Sequence, residues 1–408
     1  MTMRISTSSL YATSTSTLGT LQSQLARTQQ QLSTGHRMLS AADDPIASAR
    51  ALEVTQSQTV NAQFANNRAN GRSALSQEEV ALTSAQNIVQ DSQTLVVAAG
   101  NGANSASDRA TYADQLQGQL DSLIAVANSS DGNGGYLFGG YKSSTVPFVQ
   151  TAAGVGYNGD QGQVQLQVAP SRSIAISDSG SAVFTNIATG NGSFVTGTGA
   201  NSGSAVISAG VVTDSRQLTG HTYSIDFTVT PGTPDVTTYK ITDMTTNTTV
   251  PPAPAVADMP YTSGASINVG GMSFDVSGVP AQGDSFSAKP SDRQSLFTTL
   301  SKLIDTLRAP ANTPAEKKAL SDGLAEAGGN LSAGLDNVLA VRSSLGTRMK
   351  ELDTLDSAGS DADVQYASTL TNLQDLDYVK AISQFTQQQT TLDAAQKSFK
   401  SMSSLSLF

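Results

Sequence analysis

The side chains that could carry chemistry are few. Of two histidines, His36 stands beside Arg37 in a polar turn and His221 follows Leu218-Thr219-Gly220. A histidine becomes a base or a ligand when a neighbour orients one ring nitrogen. Both of these read instead as solvated surface positions, and no Gly-x-Ser-x-Gly elbow stands ready to supply a nucleophile. The chain has no cysteine, which removes disulfides, thiolate metal sites and thiol catalysis together.

Four other strings resemble sites and fail on their context. Gly154-Val155-Gly156-Tyr157-Asn158-Gly159 spells the dinucleotide fingerprint, which needs a strand before it and a helix after it to face a pyrophosphate. Asp160-Gln161-Gly162 and an alternating β run follow instead, so the string reads as a turn. Asp131 and Asn133 open like a calcium loop, yet Gly135 and Lys142 stand where oxygen ligands, including the bidentate Glu, are needed. Glu78-Glu79 could be an acid pair, but neighbours on a helix point apart, and a solvated first turn is the expectation. Asp43-Asp44 reads as a helix cap ahead of Pro45. The expectation is a chain with no catalytic residues, no cofactor and no metal, hence not an enzyme.

The elements that would have to position any site are more legible. Between Leu370 and Met402, Tyr378, Phe385, Leu392 and Phe399 recur every seven residues, with Ile382 and Met402 at offsets of four and three. That is one apolar stripe on a helix expected to be roughly 50 Å long at about 1.5 Å per residue. The other faces carry Gln387, Gln388, Gln389, Lys397 and Lys400, so the stripe needs a partner helix. Tyr11, Leu18, Leu25, Leu32 and Leu39 hold the same spacing at the opposite end of the chain, within a helical pattern over 10–39 that Gly35 interrupts. The two termini are expected to pack together.

Between them the pattern changes twice. A second helix starts at Pro45 and is expected to end near Asn70-Gly71; a third carries Leu75, Leu82, Val89 and Val96 up to Gly100-Asn101-Gly102; a fourth carries Ala113, Leu116, Leu120, Leu123 and Ala127. From Tyr136 to about Pro290 the period is that of strands, as in Val164–Val168, Tyr223–Val229 and Tyr239–Ile241, with an extended loop at Pro251–Pro254. Helical spacing returns in Leu296, Leu300, Leu303, Ile304 and Leu307. After Pro310 comes Leu324, Leu331, Val338, Leu345 and Leu352, with Gly334 at an inward position that would permit close helix approach. A polar loop over Ser357–Asp361 is expected before the terminal helix.

The resulting fold class is mainly α with an inserted β-rich domain: long antiparallel coiled-coil or bundle helices from the N- and C-terminal parts, and the β domain at the tip. Three domains are expected. They are 1–44 with 365–408 as a terminal helical assembly domain, 45–140 with 291–364 as a helical bundle, and 141–290 as the β-rich insertion. For the middle helices, hairpin partners suffice to cover the stripes; for the termini, a lone two-helix stalk leaves apolar surface that argues for assembly.

Composition limits the partners. The 408 residues carry a formal charge of −10, only 14% are charged and 5% are aromatic. With no basic stripe, nucleic acid and anionic membrane are disfavoured. No run approaches a membrane span, and MTMRISTSSLYATSTST lacks the apolar core of a cleaved secretory signal.

Two N-terminal strings, Leu32-Ser33-Thr34-Gly35-His36-Arg37 and Ala41-Ala42-Asp43-Asp44-Pro45, followed by Asn67-Arg68-Ala69-Asn70-Gly71, resemble the bacterial flagellin superfamily, as do Leu376-Asp377-Tyr378 and Leu392-Asp393-Ala394-Ala395-Gln396. Within it, Gly135-Tyr136-Leu137-Phe138-Gly139-Gly140 with Pro147-Phe148, the segment Pro280–Phe286 and the ending Ser404–Phe408 resemble the hook-associated family of the hook-filament junction. Asp91 and Gln93 stand where flagellins recognised by the innate immune receptor carry basic residues, which sets the chain apart from them.

The resemblance implies a structural adaptor joining hook to filament, located outside the cell at that junction. It implies export by the flagellar type III pathway with an export chaperone, and termini that are disordered until they assemble. The implied partners are other copies of itself, a neighbouring hook-associated protein and flagellin subunits. Leu18, Leu25, Leu32, Tyr378, Phe385, Leu392 and Phe399 would carry the assembly contact. A flagellin filament subunit is the alternative, and a β-tipped adhesin on a coiled-coil stalk is a more distant one.

Overall fold

The computed structural model describes residues 7–152, 154–232, 235–250 and 258–405. The Pro251–Pro254 loop and the last residues of the closing motif lie outside them, as do the first six residues. Among the described residues, helices α1 (Thr7–Thr34), α2 (Pro45–Ala99) and α3 (Ala106–Ala127) precede a run of short strands, and α4 (Leu296–Arg308), α5 (Pro314–Gln374) and α6 (Tyr378–Leu405) follow it. The class is that expected: helical N- and C-terminal parts with a central β-rich part.

Local sequence starts these helices. Asp44 Oδ1 accepts the amide of Ala47 at 3.0 Å, with Pro45 in the first turn where its missing N–H costs nothing. Ser105 and Asp108 form a reciprocal capping box on α3. Thr313 and Glu316 do the same on α5, at 3.2 Å and 2.9 Å. Ser295 Oγ accepts the Thr298 amide at 2.9 Å at the head of α4. Asp377 accepts from Lys380 at the head of α6.

The chain divides into two compact units, Met1–Arg68 with Asp353–Phe408, and Ala69–Leu352. In the second unit the seven-residue stripes are the helical core. Leu75, Leu82 and Val89 of α2, Leu116 and Leu123 of α3, Leu300 and Leu303 of α4, and Leu331 and Val338 of α5 are all fully buried. Gly334 sits where a Cβ would overlap Leu296 Cδ2 and lie 3.1 Å from its Cγ, so α4 and α5 approach closely there.

The β part of this unit holds an antiparallel sheet in the order Thr248–Val250, Val236–Asp243, Tyr223–Thr230, Ser285–Pro290, Phe194–Thr198. Tyr223, Ile225 and Phe227 alternate inward, and they pack with Ile241, Ile267, Phe274, Val276 and Phe286. Where helix gives way to strand, Phe138, Phe148, Phe184 and Phe297 stack edge to face or tilted, with centroids 5.0–5.9 Å apart.

Four expectations about these elements fail. The helix expected to end at Asn70-Gly71 runs unbroken to Ala99. Gly71 lies beneath side chains, a Cβ there falling 3.3 Å from Ile176 Cγ2 and 3.7 Å from Leu166 Cδ2, so the glycine serves packing rather than termination. The loop expected over Ser357–Asp361 is helical, because Gly359 leaves room for the Arg68 guanidinium and its carbonyl accepts from Asn61 at 2.8 Å. The terminal helix does not begin at Leu370: α5 runs to Gln374 and α6 starts at Tyr378 after a break capped by Asp377. The fingerprint-like string is not a turn, since Gly154–Tyr157 is a strand paired antiparallel with Phe148–Thr151.

Candidate assembly interface

In the first unit α1 and α6 lie side by side and antiparallel. Gly35, in the left-handed region at φ +73°, ends α1, a conformation that a side chain would strain. Beyond it the chain pairs with the α5–α6 break: the Gly35 carbonyl accepts the Leu376 amide at 2.9 Å, and the Gln374 carbonyl accepts the Arg37 amide at 2.8 Å. Tyr378 stands over Gly35, its hydroxyl 2.8 Å from where a Cβ would be. Halfway along, Thr28 Oγ1 donates to Gln388 Oε1 at 2.9 Å, and Thr28 is buried. Near the far end the rings of Tyr11 and Phe399 meet at 4.8 Å. Asp43 holds the adjoining turn: the amides of Leu39 and Ser40 and the Arg27 guanidinium, 2.6 Å away, keep its carboxyl below the usual range.

Of the seven residues expected to carry assembly, only Leu392 is buried in this helix pair. Leu18, Leu25, Leu32, Phe385 and Phe399 are half-buried, and Tyr378 remains 51% exposed. The buried apolar residues of the whole unit, among those described, are Ala47, Ala51, Ala381 and Leu392. Meanwhile Ile46, Leu52, Val60, Val364, Val379 and Ile382 are exposed, up to 83% at Val379. Among the described residues, the unit thus has little interior and leaves much apolar surface that one helix pair does not cover. Thr28, Gln388 and Ala381 were not legible as contacts, because a polar residue and an alanine leave no mark in an apolar repeat.

His36 is exposed in a two-residue bridge with Asp375. His221 is not a solvated surface residue: its Nδ1 lies 2.7 Å from Asp243 Oδ2 and its side chain is 30% exposed. Burial alone would raise the Asp243 carboxyl, but the His221 hydrogen bond and the amides of Thr246 and Thr245 outweigh it and hold the group at about 2. Glu78-Glu79 is not a solvated first turn either. Both lie mid-helix in α2; Glu78 is 1% exposed, and Glu79 is paired with Arg342 of α5. Asp131 Oδ1 accepts the amides of Asn133 and Gly135, each at 2.8 Å, so this oxygen closes its own turn.

Residues 5–143 match the bacterial flagellin N-terminal helical region, and residues 196–290 match the D2-like domain of flagellar hook-associated protein 1. Over 407 residues the chain is 30% identical to flagellar hook-associated protein 3 of Salmonella typhimurium, covering 100% of this chain and 99% of that one. The chain belongs to the flagellar hook-associated protein 3 family. Among solved structures, this family member is similar to the flagellar junction protein FlgL from Legionella pneumophila, with 31% identity and a TM-score of 0.71 over 80% of this chain and 100% of that one. A phase 1 flagellin from Salmonella naestved matches over 134 residues only, 33% of this hook-associated chain. That flagellin match covers one part of the chain, whereas the match to the hook-associated protein runs its whole length.

Proposed function

We propose that this protein is the structural adaptor that joins the flagellar hook to the filament and passes torque from one to the other. The observation that carries it is the terminal unit, flagellin-like in the sequence of its N-terminal part and, among the described residues, nearly without an interior of its own, on a chain similar throughout its length to a flagellar hook-associated protein 3. Assembly with hook and filament components follows from that family. The finer reading adds other copies of the chain as ring neighbours, an export chaperone, passage through the flagellar type III pathway, and an extracellular place at the junction.

In this reading 1–44 with 365–408 is the assembly domain, ordered only when neighbours cover it. Its ordering entropy is then met by contacts made in the assembly. The bundle, 45–140 with 291–364, and the insertion, 141–290, form the parts that keep their fold outside it. Leu18, Leu25, Leu32, Tyr378, Phe385 and Phe399 keep area open to the neighbours, while Leu392 closes the helix pair that presents them.

The test is deletion of the gene in its host, followed by return of the wild-type chain, Leu25→Asp or Phe385→Asp. The deletion should leave hooks without filaments and flagellin monomers in the medium. The wild type should restore filaments and the two variants should not. Normal filaments in the deletion strain would refute the junction role. Normal filaments with both variants would refute the assigned contact.

A further inference from the structure

The terminal unit makes no use of the buried acid on α2. Glu78 Oε1 accepts the amide of Asp178 at 3.2 Å, while its Oε2 has no hydrogen-bond partner among the described residues and no access to solvent. Asp178 is itself buried. Its side chain accepts from Gln163 at 2.7 Å and pairs with the Arg348 guanidinium of α5, which also donates to the Ala175 carbonyl at 3.0 Å. The remaining nitrogen of that guanidinium, Nε, is buried and unpartnered.

The charges facing Glu78 are therefore one carboxylate from the strand side and one guanidinium from α5. Glu79, next to it on α2, is spent on Arg342. Arg172 and Glu351, one turn further along α5, satisfy each other with a second bond at 2.8 Å. Two ionised carboxyls against one guanidinium would leave a net negative charge in a place closed to solvent, which desolvation penalises. A proton on Glu78 makes the cluster neutral.

The cluster also ties three pieces of chain together. α2 and α5 supply Glu78 and Arg348, and the third piece is the segment ending at Asp178. That segment carries the hairpin of Gln165–Ala169 with Arg172–Ala175 and leads into the π-helical turn Ser181–Thr185, whose Val183 and Phe184 are fully buried.

We propose that Glu78 is a proton-operated latch: protonated, it holds the 163–178 segment against α2 and α5, and ionised, it releases that segment from the helices. Burial, then the neighbouring Asp178 charge, push the Glu78 carboxyl up to about 8 in the closed state, Arg348 opposing only in part. Once released into water it returns to the ordinary value of 4.5. Across that window each pH unit favours release about tenfold, and above about 8 the effect levels off.

Amide hydrogen exchange of the full-length protein, corrected for the intrinsic rate, tests this between about pH 5.5 and 9. Protection of the Asp178 amide should fall about tenfold per pH unit up to about pH 8 and then stay level. Glu78→Gln, a neutral isostere, should abolish the dependence. Asp178→Asn, which leaves Glu78 facing Arg348 alone, should flatten the curve between pH 7 and 8, and it reads the same point if the Gln variant does not fold. Asp178 should also exchange faster than the Leu120 amide in α3, which marks local release rather than global unfolding. A wild-type protection independent of pH, a slope that persists in Glu78→Gln, a slope between pH 7 and 8 that persists in Asp178→Asn, or equal protection of Asp178 and Leu120 would each overturn the latch.

Discussion

Gly334→Ala sets two known effects against each other at one atom. Inside a helix the exchange of glycine for alanine is worth about 1 kcal/mol in favour of the folded state. The new Cβ, however, overlaps Leu296 Cδ2 and falls 3.1 Å from its Cγ, and Leu296 is 1% exposed at the head of α4. Overpacking of that kind costs about 1–3 kcal/mol. Gly346 lies on the same helix with nothing within 4 Å of its Cβ position, so Gly346→Ala collects the gain alone.

The two variants should therefore separate by about 1–3 kcal/mol, and in a unit of this size that is roughly 2–10 °C in melting temperature. Scanning calorimetry of both chains against the wild type measures it. Gly346→Ala should melt above the wild type, and Gly334→Ala well below Gly346→Ala. Adding Leu296→Ala, which by itself costs about 2–5 kcal/mol, should be less harmful on top of Gly334→Ala than in the wild type, because the new methyl then occupies part of the cavity. Equal melting temperatures for the two glycine variants, or strict additivity in the double variant, would show that the close approach of α4 and α5 is not what holds glycine at this position.

Other outcomes follow from single contacts. Leu392→Asp places a charge at the one leucine of the terminal pair that is buried among the described residues, so it should abolish filament assembly in complementation while leaving the melting of the 69–352 unit unchanged. Ser295→Ala removes the cap of α4 and should cost about 1 kcal/mol, read by denaturant midpoint. Asp243 is ionised more readily in the folded chain than its ordinary 3.8, so its contribution is present above about pH 4 and is lost as pH falls towards 2. Asp243→Asn should lower the melting temperature of the β part at neutral pH and remove that share of its acid sensitivity.

Where apolar spacing alone decides structure, sequence and fold agree. Leu331, Val338, Leu345 and Leu352 stand seven apart and every one is buried. Tyr223, Ile225 and Phe227 alternate and face one core. The failures share a cause. Asn70-Gly71 and the stretch around Gly359 carry the composition of turns, but their glycines were selected by what lies against them, Ile176 in one case and Arg68 in the other. A glycine that ends a helix and one that admits a neighbour are the same letter.

The same limit hid Glu78. A glutamate reads as surface because ionised burial is costly, and its exemption depends on Asp178 and Arg348, both far away along the chain. At the candidate interface the stripes and their pairing were legible, since Tyr11 does meet Phe399. The polar tie of Thr28 to Gln388 was not, and neither was the small share of each stripe that one helix pair covers.

The corner at Gly35 has a bearing on how the two ends come together. Residues 35 and 376 are separated by most of the chain, yet they are hydrogen-bonded neighbours. Once that corner has formed, α1 and α6 behave as the arms of a hairpin with a short closed end, and the closure entropy of the long intervening chain no longer enters. Each further turn of pairing, through Thr28 and Gln388 and out to Tyr11 and Phe399, adds only the ordering of that turn. On this geometry the arms should close from the corner outward like a zip, with the turns furthest from Gly35 the last to shut and the first to part.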